Sequence, residues 1–120
     1  MPQTIVPMLH VPDVRATVHW YIEFGFKLQR ENEEDGNLNW ALLTFGDSEV
    51  MFDSSGTSSD APRREVDLYI HTRDIARVRE NLSYPLAIVE EIHDTFYGMR
   101  EFIVRDLNGF WITFGQPIPD

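Results

Sequence analysis

Two segments of the chain repeat the same order of apolar and polar positions. Met8 to Val18 aligns with Tyr69 to Arg79 so that a short apolar stretch, a histidine (His10, His71) and an aspartate (Asp13, Asp74) coincide before a helical pattern begins. Each aspartate is a natural N-cap, because a carboxylate accepts from the first free N–H groups of a helix. The 3.6-residue period then predicts a helix carrying Val14, Val18, Tyr21 and Ile22 on one face and ending near Gly25, and a second one carrying Ile75, Val78 and Leu82. Alternating or apolar runs predict three strands after the first helix, over 26–31, 39–45 and 49–53, with Gly46-Asp47-Ser48 as a turn. Three more strands follow the second helix, over 87–91, 101–105 and 110–114. The last two are joined by Asp106-Leu107-Asn108-Gly109, a sequence that tolerates left-handed backbone angles. Each half therefore reads strand, helix, strand, strand, strand.

Between the halves runs Ser54 to Pro62, polar and rich in Ser, as expected of a flexible linker. The fold class that results is α+β: two βαβββ modules, about 4–53 and 64–116 with a linker over 54–63, forming curved mixed sheets around a concave cleft. Neither module is large enough to cover its own sheet, so the two sheets pack within the chain or pair across two chains, and a homodimer is the expectation retained.

Composition narrows the chemistry. The 120 residues are 42% hydrophobic, with three Trp, eight Phe and four Tyr, enough for one compact domain with a real core. The absence of cysteine excludes disulfides, thiolate nucleophiles and Cys-ligated metal sites. A net charge of −10 argues against nucleic acid, which requires clustered Lys and Arg, and leaves neutral or cationic small molecules as the favoured ligands. No apolar run approaches the roughly 20 residues that span a bilayer, and the first residues lack the basic region of a signal peptide, so no membrane partner and a cytoplasmic location are expected.

Four stretches carry a resemblance to a known group of proteins: Val11-Pro12-Asp13-Val14 with Thr17-Val18; Trp20-Tyr21 with Phe24-Gly25-Phe26; Gly46 to Phe52; and Gly98-Met99-Arg100-Glu101-Phe102 continuing through Asp106-Leu107-Asn108-Gly109. The duplicated module resembles the vicinal oxygen chelate superfamily of glyoxalases, extradiol dioxygenases and antibiotic-resistance proteins. Val6-Pro7-Met8-Leu9 and Tyr97 to Phe102 look closest to the bleomycin-resistance branch, in which the resemblance implies a dimer that sequesters a ligand without chemistry. The turn departs from the family's usual one in carrying Leu107 in place of proline.

The resemblance also implies where a metal would be held. Superfamily enzymes place one ligand seven residues before each capping aspartate and one near the end of each half's final strand. In this chain those positions are Val6, Asp67, Phe52 (or its neighbours Met51 and Asp53) and Thr113. A catalytic ion needs about three good protein donors, so neither a metal nor another cofactor is expected.

Strand alternation puts Val6, Met8 and His10 on one face and Asp67, Tyr69 and His71 on another. The resemblance implies that these faces line the cleft, so that His10, Asp67, Tyr69 and His71, together with the rings of Trp40, Phe52, Trp111 and the pair Phe96 and Tyr97, form the expected ligand-binding set, since flat rings supply the apolar walls of small-molecule sites. Trp20 is assigned to the core or a subunit contact, His19 to the exposed side of the first helix and His93 to a loop. Glu101 reads as part of a solvated strand pair with Arg100 or Arg105. Acidic residues at 31, 33, 34, 35, 90, 91 and 94 would attract a cationic group if they rim the site. The function expected is a metal-independent, non-catalytic binding protein for an aromatic or cationic small molecule. The competing reading is a metal-dependent lyase or dioxygenase with His10, His71 and Glu49 or Asp67 as displaced ligands. A protein with no ligand beyond its partner chain is the third.

Overall fold

The computed structural model describes residues 3–57, 63–82 and 87–119. The chain divides into two compact units, 1–58 and 59–120. In the first, β1 (Met8–His10) leads to α1 (Val14–Glu23), then β2 (Lys27–Glu34), β3 (Asn37–Phe45) and β4 (Ser48–Asp53). In the second, β5 (Asp67–His71) leads to α2 (Ile75–Glu80), then β6 (Ala87–Asp94), β7 (Met99–Arg105) and β8 (Trp111–Pro117). The sheets have matching orders, β1-β4-β3-β2 and β5-β8-β7-β6. β1 runs parallel to β4 and β5 parallel to β8, and the other pairings are antiparallel, so the fold is α+β with two mixed sheets. No helix among the described residues is long and apolar enough to cross a membrane.

Both aspartate caps form. Asp13 Oδ1 accepts from the Ala16 amide at 3.0 Å and Asp74 Oδ1 from the Arg77 amide at 3.2 Å. The buried stripe of α1 is Val14, Thr17, Val18 and Tyr21, spaced i, i+3, i+4, i+7, and Thr17 closes its own polar group by donating to the Asp13 carbonyl. Ile22 falls off the edge of that stripe and is 43% exposed, contrary to the sequence expectation. α2 has only Ile75 buried, and Leu82 lies past its end.

Strands run further than the residue pattern indicates. β2 and β3 continue to a two-residue turn at Asp35-Gly36, whose φ angles of 52° and 80° are both left-handed, the requirement of the hairpin turn that matches strand twist. The polar run before it is a solvated edge strand, not a loop. β6 likewise extends to Asp94, which places His93 in a strand. At the β7–β8 turn Asp106 Oδ1 accepts from the amides of Asn108 and Phe110, both at 2.8 Å, and Gly109 takes the left-handed position. The expected linker is not free at its start: Ser55 bonds to Asp53, and a Cβ on Gly56 would meet the His10 and Val11 backbone at 2.4–2.6 Å. Residues 58–62 lie outside the described part.

Each sheet buries one face. In unit 1 Tyr21 lies 4.9 Å from the Phe52 ring and 5.1 Å from Phe26, over Ala41, Leu43 and Val50. In unit 2 Phe102 and Phe114 stack at 4.9 Å, with the buried pair Val104 and Ile112 next along the same two strands. Phe52, expected in the ligand site, is 0% exposed and belongs to this core, because Leu9, Ala41 and Phe52 share the face that α1 covers. Phe52→Ala is expected to lower unfolding free energy in urea by about 3–5 kcal/mol, the range for truncating a fully buried Phe. A loss under about 1 kcal/mol would move the ring out of the core.

Candidate functional site

The uncovered faces of the two sheets carry the chemistry. In unit 1 the register brings His10 opposite Asp53 on β4, and Asp53 opposite Trp40 on β3. His10 Nδ1 lies 2.7 Å from Asp53 Oδ1, and the Ser55 hydroxyl lies 2.9 Å from the same nitrogen while donating to Asp53 Oδ1 at 2.7 Å. Burial pulls the Asp53 carboxyl upward, but the hydrogen bonds from His10 and Ser55 outweigh it and hold the group below its ordinary range. The Ser, His and Asp do not form a nucleophilic triad. That chemistry needs serine on one ring nitrogen and the carboxylate on the other, whereas both partners here meet Nδ1. The cluster instead ties the chain after β4 to the end of β1.

In unit 2 the open face has two ends. At one, Asp67 faces Trp111, which faces Arg105. Arg63 forms a two-point ion pair with Asp67 and lies 4.2 Å over the Trp111 ring. The two side chains expected to be free for a ligand therefore hold a guanidinium between them, and one face of Trp111 is covered.

At the other end Tyr69 on β5 reaches across β8 to Glu101 on β7. The crossing is possible because β8 has Gly115 beneath the ring: a Cβ there would fall 2.0 Å from the Tyr69 hydroxyl. Tyr69 donates to Glu101 Oε2 at 2.7 Å, and Tyr97, from the turn before β7, donates to the same carboxylate at 2.8 Å. Glu101 is only 3% exposed, so the expected solvated strand pair with an arginine does not exist. Arg100 points to the other face and grips Asp94 at 2.7 Å. Desolvation, followed by the hydrogen bond to Glu101, raises the Tyr69 hydroxyl well above its ordinary pKa. For Tyr97 the hydrogen bond to Glu101 is the leading cause of an upward shift. Phe96 is 99% exposed and meets Tyr97 edge-on at 5.1 Å, and His71 lies 5.0 Å from Tyr69.

Of the remaining expectations, His19 is exposed on α1, and Trp20 contacts Tyr21 and Phe24. His93 lies in β6, with Nδ1 2.9 Å from the Glu91 carbonyl oxygen. Three of the seven acidic residues are already paired with arginine: Glu33 with Arg15, Glu91 with Arg79, Asp94 with Arg100. Sequence inspection passed over Gly115 and Ser55, and assigned Glu101 to the surface. A glycine inside a strand is the one signal that could have found the Tyr69 crossing, since such a glycine marks close approach of another group.

Residues 5–114 match the family described as the Glyoxalase/Bleomycin resistance protein/Dioxygenase superfamily. The chain belongs to this superfamily. Among solved structures it is similar to TioX from Micromonospora sp. ML1, with 24% identity, 97% of this chain and 100% of that one covered, and a TM-score of 0.77. It is also similar to a bleomycin-binding protein complexed with bleomycin, at 16% identity, 98% and 100% coverage and a TM-score of 0.72. A virulence protein, STM3117 from Salmonella typhimurium, shares 22% identity over 98% and 99% of the chains, with a TM-score of 0.67. Comparison with curated proteins gave no match. At these identities the neighbours establish the fold.

The donor set does not fit the superfamily's metal. Val6 and Phe52 have no donor atom, and Thr113 has only a neutral hydroxyl. Asp67 is engaged by Arg63, and Asp53 by His10 and Ser55. Among the described residues no three His, Asp or Glu side chains gather in a group that could hold an ion.

The tyrosine pair makes a testable statement about pH. A hydroxyl whose folded pKa lies above its unfolded value contributes stability that is complete below the unfolded value, 10.0 for tyrosine, and is lost as pH rises through the folded one. Tyr97 and Tyr69 should therefore resist deprotonation past the ordinary tyrosine range, followed by 13C NMR of the ring Cζ. Glu101→Gln should bring Tyr97 down further than Tyr69, for which burial is the larger cause. A Tyr97 titration indifferent to Glu101→Gln would contradict this geometry.

Proposed function

We propose that this protein is a metal-independent, non-catalytic binding protein for a small aromatic or cationic molecule, held on the uncovered sheet faces. The observation that carries the reading is the combination of exposed rings, Tyr69, Phe96 and Tyr97, with a superfamily metal set that lacks donors. Rings that are neither buried nor paired in the core are what a flat ligand stacks upon, and the lack of three donors leaves nothing to hold a catalytic ion. His10 and His71 lie on the same faces, with His10 bonded to Asp53 and His71 beside Tyr69. Trp40, half-buried on the open face of β3, and Trp111 complete the binding set, with Arg63 moving off the Trp111 ring when a ligand stacks there. Sequestration of an antibiotic of the bleomycin kind is in keeping with the fold shared with the bleomycin-binding protein. The working protein is a cytoplasmic homodimer in this reading, each module covering apolar surface against a second one.

Binding is tested with proflavine, a planar aromatic cation. It should quench tryptophan fluorescence, with affinity falling as salt rises, and the protein purified without chelator should carry under about 0.2 equivalents of Ni, Zn, Fe or Mn. Stoichiometric metal whose removal lowers the melting temperature would favour the lyase or dioxygenase alternative. Light scattering should give a mass near twice the 14.0 kDa of one chain, and a monomer mass unchanged on dilution would end the dimer reading.

A further inference from the structure

We infer that the Tyr69–Glu101–Tyr97 cluster of unit 2, with the ring of Phe96 beside it, is a subsite for an organic cation, an alkylammonium or quaternary ammonium group on the ligand. This deepens the binding reading above and rests on it.

A carboxylate that is 3% exposed needs compensation, because taking a charge out of water costs several kcal/mol unless donors or a counter-ion replace the lost hydration. Glu101 receives donors but no cation. Its partners are two neutral hydroxyls, each with a single proton to give, and no Lys, Arg or His among the described residues forms an ion pair with it. Of the basic side chains nearby, His71 stands across Gly115 in the same row as Glu101, with its ring 5.0 Å from Tyr69 and no ion pair to the carboxylate, and two others are occupied elsewhere. Arg100 is on the opposite face with Asp94, and His93, the cross-strand neighbour of Glu101, has Nδ1 2.9 Å from the Glu91 carbonyl oxygen and Nε2 3.7 Å from Glu90. The raised pKa values of both tyrosines keep their hydroxyls as donors to Glu101.

The carboxylate, held by donors but paired with no cation among the described residues, lies against aromatic side chains. Tyr69 and Tyr97 converge on Glu101 by their hydroxyl ends, which turns their rings into the walls around it, and Phe96 adds a fully exposed ring edge-on to Tyr97. Ring faces attract cations through their quadrupole, and a buried anion behind them adds to the same field. A compact ammonium without strong hydration fits this arrangement better than an anion or a neutral polar group. Gly115 is part of the device, since any side chain there would displace Tyr69 from the carboxylate.

The test compares (2-naphthylmethyl)trimethylammonium with the uncharged 2-naphthylmethanol by isothermal titration against the full chain and Glu101→Gln. The wild type should prefer the ammonium by about tenfold, the scale of a partly desolvated cation–aromatic contact. Glu101→Gln keeps an acceptor for both hydroxyls and removes the charge, so it should erase the preference and leave the naphthylmethanol affinity near that of wild type. A preference that survives Glu101→Gln, or an equal loss of both probes with a lower melting temperature, overturns the subsite. Equal binding of both probes to wild type also overturns it, while the broader ligand reading stands. Binding of neither probe ends both. Should Glu101→Gln fail to fold, Phe96→Ala alters a ring exposed to solvent. It should weaken the ammonium about fivefold with melting unchanged, and an unaltered ammonium affinity would refute the proposal.

Discussion

Each sheet has to bury one face, and nearly every other feature of the molecule follows from which residues that requirement consumes. Tyr21 over Phe52 in the first unit and the Phe102–Phe114 stack in the second fill the covered sides, and strand alternation then delivers every second residue to the open sides. A slip of one residue in any strand would exchange the two populations. The parallel pairing of β1 with β4 and of β5 with β8 places the histidine ending each first strand beside the end of each last strand, at Asp53 and at Gly115. The two halves use that equivalence differently. One histidine locks the chain after β4, and the other stands beside a tyrosine.

The second half has committed more of its open face to a polar arrangement. Glu101, buried among rings, is tolerable only because two hydroxyls reach it, and one of those reaches it only because position 115 has no side chain. Hydrogen bonds to an ionised group are stronger than neutral ones, and leaving such a group without partners is costly. The three residues are therefore coupled. Loss of any one changes the environment of the other two, which is the behaviour of a site and not of independent surface positions.

Membership of the superfamily settles the architecture and leaves the chemistry open, since one fold supports many sites. The residues at the superfamily's metal positions are engaged in other work here. Asp67 anchors Arg63 against Trp111, Phe52 is core, and Thr113 is buried in β8 opposite Tyr69. The aromatic residues that a list of rings would group together are of three kinds: buried, covered by a guanidinium, and open.

The order of elements, both helix caps, the β7–β8 turn and the duplicated module were all legible in the chain, because they rest on local chemistry: a capping carboxylate, a 3.6-residue stripe, an Asp and Gly at a turn. That Asp67, Tyr69 and His71 share one face of their strand, as His10 does with Met8, was legible for the same reason, since alternation in a strand is a local rule. Phe52 and Glu101 were not. Both sit in strands with ambiguous patterns, and each is assigned to a face by the register of neighbours far along the chain, Phe52 through Ala41 and Leu9, Glu101 through Gly115. Nor could sequence show that Arg63 covers Trp111 or that Tyr69 crosses β8, because those contacts join residues that only sheet pairing brings within reach. Local propensity determined the elements, and which side chains meet was decided by the tertiary pairing of strands.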